Sequence, residues 1–250
     1  MMPVRSHKNR TVVEAARLHR AAERRDRGQT LIEGPHLLDE ALSVGIEPSL
    51  VFALEGDVAT ADLTVAHAVE LVLVDEAGLA RVAGTKSPRG PVAVIEIPSQ
   101  PSLGSKHVLV AWGVGDPGNV GTMIRAAAGF GWSFAYSKGT ADPWSPKVLR
   151  AGAGAHFRTG AVAVDSLEEL HQLGYRTLAT VVAGGEDPIA VGSGPFAVLI
   201  GDESSGLPPS VAAEANQRIT LPMPGGIESL NAATAAAIIV YELSKGADPR

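Results

Sequence analysis

Short apolar runs alternate with amphipathic segments throughout the second half of this 250-residue chain. The run His107–Trp112 is apolar at every position after the first, which is typical of a strand buried on both faces of a sheet. Similar runs follow at Ser133–Tyr136, Arg176–Val182 and Ala197–Ile200. Helical patterns accompany them, through Ala128 and at Pro146–Ala151, Leu167–Leu173, Pro209–Ala215 and Asn231–Leu243. This alternation predicts an α/β fold whose mostly parallel sheet is covered on both faces.

The first half of the chain predicts a second, smaller α/β domain over residues 1–97. Its expected elements are a basic helix at Thr11–Arg27, a strand from Thr30, a helix at His36–Val44, strands at Leu50–Leu54, Glu70–Val74 and Val92–Ile97, and a helix near Leu63–Ala68. Residues 98–105 are rich in proline, serine and glycine, so we expect them to link this domain to the larger one at 106–250.

The chain has no cysteine, which excludes disulfides, thiolate metal sites and cysteine nucleophiles. Its seven histidines are scattered without the spacing of metal ligands, so we expect no metal. No apolar run is long enough to span a membrane, and the N-terminus is basic where a signal peptide needs an apolar core. These features predict a cytoplasmic protein that does not engage a membrane.

The net charge of −6 is unevenly distributed along the chain. Residues 1–30 carry eight Lys and Arg side chains against three Asp and Glu, so the rest of the chain is strongly acidic. A local excess of positive charge suits phosphate binding even when the whole-chain charge is negative. It suits a solvated helix face equally well, and the charges alone leave both interpretations open.

A glycine-rich turn, Gly113–Gly118, has the G-x-G-x-x-G spacing of a dinucleotide site and follows a predicted strand. That pattern would indicate an NAD-dependent oxidoreductase. Two features oppose this interpretation. Pro117 removes a backbone N–H that a pyrophosphate would need. The strand Ser133–Tyr136 ends in Ser137–Gly139, without the acidic residue that would hold a ribose. The oxidoreductase therefore stays only as a remote alternative.

A better candidate site begins one residue after that turn. Asn119 lies at the predicted helix start, where its side chain could cap the helix, and Gly121 allows close packing. Arg125 follows on the same helix, and its planar, positively charged guanidinium presents several N–H donors in a fixed arrangement. Taken alone, this segment would be a capped helix with a surface arginine.

Two later loops also combine glycine with polar side chains. The acidic loop Gly201–Gly206 follows a strand, and its glycines would let a ligand approach the backbone closely. The run Leu221–Asn231 leads into an alanine-rich helix. Ser229 or Asn231 could cap that helix, and both could also project polar groups into a site.

Together, these three segments resemble the three motifs of the SpoU/TrmH family of SPOUT methyltransferases. The family pattern runs N-x-G-x-x-x-R, then G-x-E-x-x-G after an apolar run, then I/L-P-M-x-G-x-x-x-S-L-N. All three occur in this order between Asn119 and Asn231. The stretch Asp142–Ala155 also resembles the family's S-x-K-x-x-R-A-S-x-G-A sequence, except that Gly152 replaces the usual serine, so we assign no hydroxyl role there.

The resemblance implies a deep trefoil knot, in which the chain from about Thr177 threads through a loop, and a homodimer built on the knotted domains. It also implies S-adenosylmethionine-dependent methylation of a ribose 2′-hydroxyl in RNA. The residues it assigns to S-adenosylmethionine, mainly through backbone groups, are Gly201, Gly206, Leu221, Met223 and Leu230. Those it assigns to catalysis are Asn119, Arg125, Glu203, Ser229 and Asn231.

In the family, the counterpart of Arg125 is proposed to activate the 2′-hydroxyl. A guanidinium stays protonated in proteins, so it is a poor general base. We therefore expect Arg125 to hold the phosphate beside the reacting ribose and to stabilise the developing alkoxide. A non-catalytic RNA-binding protein of the same fold is the alternative, which the intact motif residues disfavour.

The first half more weakly resembles the substrate-binding domain attached to many of these enzymes, which is related to kink-turn-binding ribosomal proteins. The resemblance rests on Leu31–Leu38 and Lys86–Gly90. It implies RNA recognition, and we expect 23S-type large-subunit ribosomal RNA first and transfer RNA second. The residues predicted to contact RNA are Arg10, Arg17, Arg20, Lys86, Arg89, Lys147 and Arg150.

Overall fold

The computed structural model describes residues 8–99, 102–104, 107–227 and 229–245. Its described residues divide into two compact units, one within 1–99 and 144–157 and the other within 100–143 and 158–250. The segment 144–157 joins the first unit because Trp144 and Leu149 are buried in a core with Ile32 and Leu38. The Thr30 hydroxyl also donates a hydrogen bond to the Trp144 carbonyl at 2.6 Å.

The elements of the described residues are numbered in chain order. The strands are β1 (Gln29–Glu33), β2 (Pro48–Leu54), β3 (Glu70–Val74), β4 (Val92–Glu96), β5 (Val108–Trp112), β6 (Ser133–Tyr136), β7 (Val162–Ala163), β8 (Arg176–Thr180), β9 (Phe196–Gly201) and β10 (Gln217–Ile219). The α-helices are α1 (Arg10–Ala16), α2 (Ala21–Arg27), α3 (Pro35–Ser43), α4 (Val58–Ala66), α5 (Glu76–Ala83), α6 (Pro117–Gly129), α7 (Pro146–Gly152), α8 (His156–Thr159), α9 (Leu167–Gln172), α10 (Pro209–Glu214) and α11 (Ala232–Ser244).

The first unit is built on a four-stranded mixed sheet in the order β1-β4-β2-β3. β4 pairs antiparallel with both β1 and β2, whereas β2 pairs parallel with β3. Leu31 of β1 and Phe52 of β2 are buried in one core with Leu18 and with Leu79 of α5. This small α/β unit agrees with the fold class predicted for the first half.

The prediction of one continuous helix over Thr11–Arg27 is wrong. α1 passes into a 3₁₀ turn at Arg17–His19, and the chain is extended at Arg20 before α2 begins. The break is compensated by the buried Arg24, whose guanidinium donates to the Leu18 carbonyl at 2.7 Å. A carbonyl that lacks its helical partner is costly to bury, and this bond satisfies it.

Other predicted boundaries shift, and some elements were missed. The helix expected near Leu63–Ala68 begins earlier, at Val58, because the Asp57 carboxylate caps it by accepting from Thr60 N at 3.0 Å. α5 was not predicted, since Gly78 interrupts a short helical pattern. β7 and β10 were also missed because strands of two and three residues carry no readable periodicity.

The second unit contains a six-stranded sheet in the order β10-β8-β9-β5-β6-β7, and every strand pairing in it is parallel. All six residues of β9 are buried, as are the first four of β5, because helices cover both faces. The mostly parallel sheet predicted from sequence is confirmed. Parallel pairing brings the carboxyl ends of β8, β9 and β10 to one edge, where the loops after them converge.

Among the described residues, no helix is both long enough and apolar enough to cross a lipid bilayer.

Candidate functional site

A cavity of about 510 Å³ lies at the carboxyl ends of β8, β9 and β10 in the second unit. Its volume falls within the range of about 300–1,000 Å³ that is typical of small-ligand sites. The loops after these strands and the start of α11 form its walls. All five residues predicted to hold the cofactor line it, namely Gly201, Gly206, Leu221, Met223 and Leu230, together with Glu203 and Ser229.

The loop after β9 folds back tightly on Gly201. A Cβ at this position would lie 2.2 Å from the Gly206 carbonyl carbon and 2.3 Å from Leu207 N, so no side chain fits there. Gly206 has a φ of +66°, and its N–H donates to the Asp202 carbonyl at 2.8 Å. The two glycines therefore have different roles. Gly201 allows the backbone at Gly206 and Leu207 to approach it closely, and Gly206 allows the chain to reverse.

Asp202 holds this loop together, a role that the motif comparison did not assign to it. Its carboxylate accepts hydrogen bonds from the Ser204 hydroxyl at 2.6 Å and from Ser204 N at 3.0 Å, and Gly115 N lies 3.4 Å away. The Ser204 side-chain bond is the largest of the contributions that lower the pKa of Asp202. An Asp two residues before a Ser is a signal of such a turn.

The side chain of Asn231 joins the three motif segments. Its Oδ1 caps α11 by accepting from Ala233 N at 3.0 Å and Thr234 N at 3.1 Å. Its Nδ2 donates to Asn119 Oδ1 at 2.9 Å and also to the Glu203 carboxylate. The capping interpretation of Asn231 is therefore confirmed, and the amide nitrogen that the cap leaves unused contacts the other two motif segments.

The expectation that Asn119 caps α6 is wrong. α6 begins at Pro117, and the cap is Asp116, whose carboxylate accepts from Asn119 N at 2.9 Å. The Asn119 side chain is thereby left to meet Asn231, and Asn119 is buried, with 8% of its surface exposed. A cap three residues earlier moves Asn119 from the end of the helix into its first turn.

Arg125 and Ser229 differ from the other predicted catalytic residues. Both are exposed, and no described protein group forms a hydrogen bond or ion pair with either side chain. Ser229 lines the cavity, whereas Arg125 is not among its lining residues. Both side chains are free to meet a substrate.

The glycine-rich turn at Gly113–Gly118 does not offer a pyrophosphate site. The Asp116 carboxylate already occupies the start of α6, where a phosphate would have to bind, and its negative charge would repel one. The Asp202 carboxylate faces Gly115 N from the other side. The described residues also contain no group of three His, Asp or Glu placed to hold a metal ion.

The sequence model of the SpoU rRNA Methylase family matches residues 106–241, which span the cavity and all three motif segments. The chain belongs to the SpoU rRNA methylase family. A second model, the MRM3-like substrate binding domain, matches residues 9–93. The family resemblance inferred from the motifs is confirmed.

Relatives of this SpoU-family chain match it along nearly its whole length. It is 32% identical to the 23S rRNA (guanosine(2553)-2′-O)-methyltransferase RlmP of Bacillus subtilis, covering 97% of this chain and 99% of the relative. The AdoMet-bound rRNA methyltransferase from Sinorhizobium meliloti is 26% identical, with a TM-score of 0.84 and 99% coverage of both chains. The SpoU methyltransferase AviRb from Streptomyces viridochromogenes, at 24% identity over 95% and 98% of the two chains, has the same fold with a TM-score of 0.84.

The residues of the first unit that are predicted to contact RNA differ in whether a carboxylate pairs with them. Arg17 pairs with Glu14 at 3.1 Å, and Arg27 pairs with Glu14 and with Glu23 at 2.9 Å each. The hydrogen bond from Arg27 is the main cause of the lowered pKa of Glu14. The positive charges of Arg17 and Arg27 are thus compensated. The remaining predicted contacts are exposed, namely Arg10, Arg20, Lys86, Arg89 and Lys147, together with Arg150, which pairs with Glu33.

Proposed function

We propose that this SpoU-family protein transfers a methyl group from S-adenosylmethionine to a ribose 2′-hydroxyl of RNA, with 23S-type large-subunit ribosomal RNA as the substrate. The full-length similarity to a 23S rRNA 2′-O-methyltransferase supports this substrate. The observation that carries the proposal is the convergence of the three motif segments at Asn231, beside the cavity. A bacterial-type ribosomal substrate would place the protein in the cytoplasm.

The cavity walls suit an adenosyl cofactor. Among the described residues, no protein group accepts a hydrogen bond from the backbone N–H groups of Leu221, Met223 and Leu230. These donors are available to the edge of a planar base, while Ile200 and Ile239 supply apolar surface for its faces. When bound, S-adenosylmethionine supplies a methyl group activated by a sulfonium.

The protein's contribution to the reaction is positioning. All the hydrogen-bonding groups of the Asn231 amide are engaged by protein partners, so we assign it the task of holding Asn119 and Glu203 in place. Arg125 has no described partner, and its fork can bind a substrate phosphate and stabilise negative charge that develops on the ribose oxygen. Ser229, exposed at the cavity, is available to orient the ribose.

A homodimer through the knotted domain completes the proposal. The knot itself would form where the chain beyond Thr177 passes through a loop. Phe130, Ile238 and Tyr241 are large apolar residues at α6 and α11 with 44%, 38% and 49% of their surfaces exposed. The rings of Phe130 and Tyr241 are 5.9 Å apart, so these apolar groups are adjacent and offer a surface for a second copy. Sedimentation at twice the 25.8 kDa chain mass is expected, and sedimentation at the chain mass would contradict the dimer.

The reaction is tested with tritiated S-adenosylmethionine and transcripts of 23S rRNA and transfer RNA. We expect label in the 23S transcript, at a nucleotide that becomes resistant to alkaline cleavage on its 3′ side. Label in transfer RNA alone would contradict 23S rRNA as the substrate. Label on a base would contradict methylation of the ribose 2′-hydroxyl. Arg125→Ala is the matched inactive control, because its side chain does not line the cofactor cavity.

A further inference from the structure

Glu33, at the end of β1, has a nearly buried carboxylate with two partners in the first unit. Only 7% of its side chain is exposed, and Oε2 lies 2.8 Å from Arg150 Nη1. Oε1 accepts a hydrogen bond from Arg89 N at 2.9 Å. One carboxylate therefore ties the guanidinium of Arg150, on α7, to the loop between α5 and β4.

This arrangement fixes the position of the Arg150 guanidinium and leaves most of its N–H donors unoccupied. The Arg150 side chain remains 36% exposed, and Nη1 is its only nitrogen with a described partner. Its remaining N–H donors face no described protein acceptor, so they are available to a planar anion such as a phosphate. An arginine held by a buried carboxylate loses less side-chain freedom on binding than a free one does.

Further cations lie on the two elements that Glu33 holds. Lys147 lies one helical turn before Arg150 on α7, and Lys86 and Arg89 lie on the loop that Glu33 anchors. The side chains of Lys86, Arg89 and Lys147 are exposed, and none has a hydrogen bond or ion pair with a described residue. We call Glu33, Lys86, Arg89, Lys147 and Arg150 the Glu33 patch.

The helical surface of α1 and α2 is less suited to phosphate. Glu14 accepts from both Arg17 and Arg27, Glu23 pairs with Arg27, and Arg24 is buried against the Leu18 carbonyl. A phosphate at Arg17 or Arg27 would have to displace carboxylates that already hold these cations. Arg10, Arg20 and Arg25 are exposed, and no described carboxylate positions them. In the Glu33 patch, one carboxylate holds the guanidinium of Arg150 and the backbone of the Arg89 loop, and most donors of Arg150 stay open.

We propose that Glu33 is a positioning residue for RNA binding: it holds Arg150 and the Arg89 loop as one rigid surface that binds the RNA sugar–phosphate backbone. This inference rests on the proposed function, in which RNA is the substrate. Glu33 touches no RNA itself, since its charge would repel a phosphate. It acts through the guanidinium of Arg150 and through the backbone of the Arg89 loop, both of which it holds.

The test is equilibrium binding of a 23S rRNA transcript at several salt concentrations, measured without methyl transfer. Glu33→Gln keeps the shape of the side chain but removes its charge and turns an amide N–H toward Arg150. We expect about tenfold weaker binding and a salt slope that is smaller by about 0.7–0.9 for each phosphate that the variant no longer neutralises. Unchanged affinity and slope would overturn the proposal.

A double-mutant cycle separates positioning from general stability. If Glu33 acts through Arg150, Glu33→Gln should weaken binding far less in an Arg150→Gln background than in the wild type. Fully multiplicative effects would overturn the proposal. Glu33→Asp retains the charge and should recover part of the affinity. Arg25→Gln is the matched control: it removes an exposed arginine of α2 that has no described partner, and it should leave affinity within twofold.

The methylation assay measures KM and kcat separately, and this distinguishes a positioning role of Glu33 from a merely structural one. We expect Glu33→Gln to raise KM for the 23S transcript about tenfold and to leave kcat at saturating RNA within twofold. A fall in kcat with KM unchanged would overturn the positioning role.

Thermal unfolding identifies a variant that fails to fold. In that case, Lys86→Ala and Arg89→Ala are used in the same binding test. If no transcript is methylated by the wild type, the proposed function fails, while the binding experiment still decides the role of Glu33.

Discussion

The Asn231 amide donates a hydrogen bond to Asn119 Oδ1 across 2.9 Å, joining two motif segments that are 112 residues apart in the chain. The same amide nitrogen donates to Glu203, and its oxygen caps α11. One side chain therefore sets the relative positions of the first turn of α6, the loop after β9 and the start of α11.

Two substitutions separate the capping and bridging roles of Asn231. Asn231→Ala removes the cap and both bridges, so we expect the free energy of unfolding to fall by about 1–3 kcal/mol. Asn231→Asp keeps an acceptor for the cap but loses the donors and places a negative charge beside Glu203. It should unfold closer to wild type in chemical denaturation while losing most methyl transfer. Near-normal turnover of Asn231→Asp would contradict the bridging role.

The glycines of the loop after β9 should respond differently to alanine. Gly201→Ala places a Cβ 2.2 Å from backbone atoms that cannot move without opening the loop, so we expect S-adenosylmethionine binding to be lost. At Gly206 a Cβ would meet open space, and only the positive φ resists it, at a cost of about 1–2 kcal/mol. Calorimetric titration measures both variants. Equal losses of affinity would show that the close approach at Gly201 is unimportant.

Arg125→Lys tests the fork geometry of the guanidinium. Lysine keeps the charge but not the paired donors, so we expect methyl transfer to fall by about 100-fold, the loss typical of one transition-state donor. Because Arg125 does not line the cavity, affinity for S-adenosylmethionine should stay within twofold. Turnover close to wild type would exclude a role that depends on two fixed donors.

His107 should make stability depend on pH. Its ring lies against Trp132 and Phe196 with centroids 4.8 and 5.0 Å away, and Nδ1 accepts from Phe196 N at 3.1 Å. Burial lowers the pKa of His107 below its ordinary value, so the folded state prefers the neutral ring. The stability it contributes is therefore complete above the unfolded pKa of about 6.5 and is lost as pH falls through the lower folded value.

The matched variant for this pH dependence is His107→Asn, which cannot titrate. We expect the wild type to have the higher free energy of unfolding at about pH 7.5. Denaturant unfolding should show this difference becoming smaller as the pH falls to about 5. A difference in the free energy of unfolding that is constant over this range, or that grows on acidification, would contradict the assignment of a half-buried, neutral ring.

The sequence predicted which residues line the cavity better than it predicted how Asn119 and Asn231 contact each other. Gly201, Leu221 and Leu230 lie together at the cavity because parallel strands bring their following loops to one edge, which the alternation of strands and helices indicates. The contact between Asn119 and Asn231 depends on where α6 begins. Pro117 and Asp116 set that start, and the motif pattern alone does not reveal their effect.

Long-range packing explains what else could not be predicted. The segment 144–157 follows a strand of the second unit in sequence, yet Trp144 and Leu149 are buried in the first unit's core. The break at Arg20 contains neither proline nor glycine, and it depends on the Arg24 bond to a carbonyl six residues earlier. Neither contact leaves a periodic signal in the chain.

The most direct measurement of the proposed function is a map of 2′-O-methylated nucleotides in total RNA from cells with and without this gene, with the gene restored as Arg125→Ala in a third strain. We predict the loss of a single 2′-O-methyl group in large-subunit ribosomal RNA, which the wild-type gene restores and the Arg125→Ala gene does not. Ribosomal RNA with identical methylation in all three strains would contradict the proposed function.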